Sequence, residues 1–109
     1  MTRAKNQYSV PLNDYGYNLA FTVYESDQET VYALTGYTVT LKVWAPGDEA
    51  TLIVDAECTV TDAAAGTCTY LVQDGDFAAI ATYYGELELT KAGVVESTQP
   101  IWLLVRESA

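Results

Sequence analysis

Histidine is absent from the 109 residues. That gap removes the commonest general base near neutral pH, the imidazole ligands of zinc, and every Ser-His-Asp or Cys-His arrangement. Most hydrolase chemistry is excluded with it, and the chain is expected not to be an enzyme. Lysine and arginine are scarce, five against fifteen Asp and Glu, for a formal charge of −10 and an isoelectric point near 4.1. Such a balance repels phosphate backbones and anionic membrane surfaces, so no nucleic-acid partner is expected. Only 18% of residues are charged, so the acidity comes from missing bases rather than from an acidic tail, and it favours solubility. No run approaches the ~18 apolar residues that span a bilayer. No apolar segment follows Arg3 and Lys5, so the reading is of a chain with neither a signal peptide nor a membrane attachment. The seven glycines are isolated, in neither Rossmann nor P-loop spacing, and nucleotide chemistry is not indicated. Two cysteines, Cys58 and Cys68, are too few to define a disulfide scaffold. Nothing in this inventory calls for a cofactor.

Half the residues are apolar, and a chain of this length can bury one core, so residues 1–109 read as one domain with 1–7 as a flexible arm. The apolar residues alternate with polar ones at the two-residue period of half-buried strands. In Tyr37 to Trp44 the set Tyr37, Val39, Leu41 and Val43 points one way, against Thr38, Thr40, Lys42 and Trp44. Asn18 to Tyr24 turns Leu19, Phe21 and Val23 inward, and Tyr83 to Thr90 does so with Tyr83, Leu87 and Leu89. Shorter runs at Thr51 to Asp55, Cys58 to Thr61, Thr67 to Val72, Val94 to Ser97 and Ile101 to Val105 complete the set. Gly66 closes a hairpin turn after Asp62, Lys91-Ala92-Gly93 forms a second, and Pro100 breaks pairing before the final strand. Asp74 to Ile80 is read as one helical turn between sheets. Seven or eight short strands at this spacing predict an all-β, antiparallel sandwich of the immunoglobulin kind.

Cys58 and Cys68 flank the Asp62 to Gly66 turn on the apolar phase of their strands. Either they are small buried hydrophobes, or they form a cross-strand disulfide if the register brings their Cα atoms within ~7 Å. No basic partner marks either as a nucleophile. Asp74 and Asp76 straddle Gly75 as calcium ligands can, yet fall far short of an EF-hand loop, and a turn capped by aspartate explains them better. Glu86 and Glu88 share a strand face, which an exposed face explains better than a glycosidase pair.

More informative are large apolar residues on the phase that should face water: Trp44, Trp102 and Leu104, with Tyr24 and Tyr84. Trp and Tyr are enriched at interfaces, and an apolar patch of this kind marks a contact surface. The competing reading is a last strand buried on both faces, or a register displaced by one residue.

Leu34-Thr35-Gly36-Tyr37-Thr38-Val39-Thr40-Leu41-Lys42-Val43-Trp44 resembles the immunoglobulin-like domain at the N-terminus of phage upper-baseplate proteins and related small virion proteins. Asp14-Tyr15-Gly16 with Leu19 to Val23 is similar to the opening strand of that family. The run from Cys58 to Tyr70 is similar to its central hairpin, and Gly85 to Leu89 to a later strand. The resemblance implies a non-enzymatic sandwich that docks on other virion proteins, resident in the virion after assembly in the host cytoplasm. Larger members continue into a further region towards receptor-binding parts, whereas this sequence stops at Ala109, so capsid or tail decoration competes with a baseplate position. Virion components are arrayed by symmetry, so a homo-oligomer is also expected. The alternative function is an adhesion or carbohydrate-binding module stacking sugars on Trp44, Trp102 and Tyr84.

Overall fold

A computed structural model describes residues 7–25, 29–45, 47–98 and 101–107. Met1 to Asn6, read above as part of an arm, and Pro100, read as a strand breaker, lie outside them. The described residues contain nine strands and no helix. They are β1 (Gln7–Pro11), β2 (Asn18–Thr22), β3 (Thr38–Ala45), β4 (Asp48–Glu57), β5 (Thr59–Asp62), β6 (Thr67–Leu71), β7 (Ala81–Lys91), β8 (Val94–Ser97) and β9 (Ile101–Arg106). One sheet runs β1-β9-β7-β3-β4, with β8 also on β7, and the other runs β2-β6-β5. The path β9-β7-β3-β4 against β2-β6-β5 is the G-F-C-C′ against B-E-D order of a variable-type immunoglobulin sandwich.

Alternation decides which residues the two sheets share. Val39, Leu41 and Val43 of β3, Leu87 and Leu89 of β7, and Ile101 and Leu103 of β9 are fully buried. They form one core with Leu19, Phe21, Cys68 and Tyr70 of the smaller sheet. Each such side chain contributes on the order of 1.5–3 kcal/mol by leaving water, which is what makes the register worth keeping.

Three expectations need correction. Asp74 to Ile80 is not a helical turn: it crosses between sheets as an irregular turn, where Asp76 accepts hydrogen bonds from the Gln73 amide at 2.9 Å and from the Tyr70 hydroxyl. Aspartate favours such local bonding over helix because its carboxylate competes for backbone donors. The Tyr83 hydroxyl reaches back to the Ala79 carbonyl at 3.4 Å, the placement of the tyrosine corner in immunoglobulin-like domains. Secondly, Gln7, read as the last residue of the arm, opens β1, a strand not anticipated in the sequence, in which Val10 is fully buried. Thirdly, the sandwich is not purely antiparallel, because β1 pairs in parallel with β9.

β8 and β9 are two parts of one strand interrupted by a bulge. Glu88 faces Ser97 while Gly85 faces Ile101, so three steps along β7 match four along the chain, the offset of a bulge. Thr98 repairs the ladder there: its amide donates to the Leu87 carbonyl at 2.9 Å, and its buried hydroxyl accepts the Leu87 amide at 3.0 Å. The extra residue inverts the phase. Glu96 shares the side of Leu89 in β8, whereas Ile101, Leu103 and Val105 are the buried set in β9.

Candidate docking face

That inversion puts Trp102 and Leu104 on the outer face of the larger sheet, where they are 38% and 36% exposed. The last strand is thus not covered on both sides, and its register is the one read from the alternation. Trp102 stands opposite Tyr84, Tyr84 opposite Trp44, and Trp44 opposite Leu52. Four neighbouring strands therefore contribute one side chain each to a single row across the sheet. The Tyr84 and Trp102 rings lie 4.3 Å apart between centroids, tilted by 59°, a packed aromatic pair. Register shifts of the β3–β4 pairing on both sides of Trp44 end the regular ladder there. Leu104 extends the apolar surface along β9, and Arg106 follows, its Nε donating to Ser9 Oγ at 2.7 Å.

On the other side of the row the face turns acidic. Lys42 lies between Glu86 of β7 and Asp55 of β4 by register and donates to Glu88 Oε2 at 3.1 Å. The Glu88 hydrogen bond, then its charge, raises the Lys42 ammonium above its ordinary range. Burial first, and then the charge of Glu88, raise the Glu86 carboxyl, opposed by Lys42 and Ser97. Glu57, opposite Thr40, completes this quarter. Glu86 and Glu88 sit on a sheet face, as expected.

Of the five residues singled out, Trp44, Tyr84, Trp102 and Leu104 share one surface. Tyr24 does not join them: it follows β2 in the smaller sheet and bridges to Val31. Cys58 and Cys68 are buried free thiols. Cys68 faces Val60 in the β5–β6 register, which sets Cys58 diagonally from it. The hydrogen bond to the Cys68 sulfur, and then burial, push the Cys58 thiol up. No group of three or more His, Cys, Asp or Glu able to hold a metal occurs among the described residues.

A polar cluster at one end of the sandwich escaped the sequence reading. Tyr32 donates to Glu96 Oε2 at 2.9 Å, which leaves Tyr37 to donate to the Tyr32 hydroxyl at 3.0 Å. The Lys91 ammonium lies 4.4 Å from the Tyr37 ring centre, within cation–π range. These residues come from a loop, a turn and an edge strand up to 64 positions apart, and no local spacing announces them. The cluster fastens the loop ahead of β3 and gives the Glu96 carboxylate a hydrogen-bond donor.

No protein-family model matches the chain, and no curated protein matches it in sequence.

Proposed function

We propose that the protein is a non-enzymatic structural subunit of a tailed-virus particle, arrayed in copies on other virion proteins and held there by the outer face of its larger sheet. The observation that carries this reading is the row Trp102–Tyr84–Trp44 with Leu104. Trp102 and Leu104, 38% and 36% exposed beside the partly exposed Trp44 and Tyr84, cost a monomer free energy that a partner surface recovers. The rest of the molecule is an inert spacer, whose paired strands fix the row from behind with a fully buried core. The resemblance to virion immunoglobulin-like domains points the same way, as does a sequence without histidine.

A sugar-binding module fits the same residues less well. Sugar platforms present aromatic faces at a rim or groove beside polar groups, whereas this row runs across the middle strands, and Tyr84 and Trp102 spend ring surface on each other.

The test is particle incorporation. Particles produced from the genome that encodes the chain, purified by density gradient and examined by quantitative mass spectrometry, should contain it in many copies. The Trp44→Ala, Trp102→Ala double variant should fold and be lost from them. Particles free of the wild-type chain would end the proposal.

A further inference from the structure

The docking face is not uniformly apolar, and its asymmetry says what should cover it. Beside the row stand Glu86 and Glu88 on β7 and Asp55 and Glu57 on β4, with Lys42 the cation among them and already bonded to Glu88. Arg106 lies beyond Leu104, on the far side of the row. A partner that laid neutral or acidic groups over this quarter would strip water from carboxylates without replacing it, and buried unpaired charge is costly. Half-buried Glu86, whose carboxyl is already raised by burial, gains most from an added cation.

We propose that the occupant is a protein surface of apolar residues flanked by lysine or arginine, the apolar part seated on Trp102–Tyr84–Trp44 and the cations on Glu86, Asp55 and Glu57. This rests on the reading of the row as a docking face and names the chemistry of its partner. A second copy meets the requirement poorly, since it brings the same four carboxylates and its own charge of −10. One edge-to-edge register of two copies through β4 is opposed as well. An antiparallel β4–β4 ladder centred on Leu52 and Ile53 sets Asp48 opposite Glu57 twice, and like charges directly opposite destabilise a sheet pair. The face is thereby closed to copies of itself and open to a cationic neighbour, as heterotypic docking requires.

Trp44 and Trp102 are the chain's two tryptophans, so tryptophan emission, excited selectively over the nine tyrosines, reports on this face. The probes are two octapeptides free of tryptophan, alternating lysine–leucine and alternating glutamate–leucine. The lysine peptide should shift the emission saturably at low salt, at least about tenfold more tightly than the glutamate peptide, and weaken by about tenfold near 0.5 M salt, where exposed charges are screened. Asp55→Lys with Glu86→Lys should abolish the preference. Glu25→Lys with Asp74→Lys, the same change in net charge away from the face, should retain it. Equal response to both peptides, no response to either, or equal loss in both double variants would overturn the inference. So would a dimer seen by light scattering that Trp44→Ala, Trp102→Ala dissolves, since the occupant would then be a second copy. None of these outcomes bears on particle incorporation, which can fail or succeed separately.

Discussion

Gly66 shows how much one residue can hold in this fold. Its φ is +70°, and a Cβ there would sit 2.7 Å from the Tyr32 carbonyl oxygen and 2.9 Å from that of Val23. Its carbonyl accepts the Val23 amide at 2.8 Å, so the turn, the end of β2 and the loop ahead of β3 meet at one backbone. Gly66→Ala should cost at least about 2 kcal/mol, combining the left-handed backbone penalty with a displaced carbonyl, as read from urea unfolding; a loss under half of that would mean the loop simply moves aside. Gly66 was legible as a turn glycine from its place between two β-type runs. Its second role, admitting two foreign carbonyls, was not, because those come from a loop more than thirty positions earlier. The same division holds at the cysteines: burial followed from their phase, while the diagonal relation needed the register.

Among the elements, the β8–β9 bulge decides most. Without the extra residue opposite Leu87, Trp102 and Leu104 would turn into the core, and Ile101, Leu103 and Val105 would face water. Thr98 stabilises the interruption by supplying the acceptor that a regular partner strand would have offered. Thr98→Val therefore leaves the Leu87 amide buried without an acceptor and should cost about 1–3 kcal/mol, while Thr98→Ser should recover most of the loss. Equal stability of the valine variant would show that water reaches the amide. The eight strands expected from alternation are all present, with ends displaced by a few residues. β1 was missed although Gln7 to Val10 alternates between exposed and more buried positions; its partner β9 lies about ninety residues away in a parallel ladder. No local signal carries such a pairing.

At the scale of the whole molecule, a charge of −10 opposes compaction, and Glu86 adds to that opposition. Its folded-state carboxyl lies above the ordinary value of 4.5, so the folded chain holds that proton more tightly than the unfolded one. The resulting stability is fully present below the ordinary value and is lost as pH rises through the raised one. The melting temperature should therefore fall as pH rises from about 4.5 to 7, and Glu86→Gln should flatten that slope and raise the melting temperature at neutral pH. A slope unchanged in Glu86→Gln would assign it to general charge repulsion alone.

Composition and period by themselves determined the all-β class, the inward and outward sets of β3 and β7, and the outward placing of Trp44, Tyr84, Trp102 and Leu104. These depend on the strict two-residue alternation of extended backbone, which each strand carries in its own residues. Only the tertiary structure decided that Trp102, Tyr84 and Trp44 form one row with Leu104 beside it, that Tyr24 stands apart, that acidic groups border the row on one side, and that Tyr32, Tyr37 and Glu96 meet. Those facts depend on strand order and register, which arise from pairing between distant segments. The free energy that selects the pairing is the burial of a core assembled from both sheets at once.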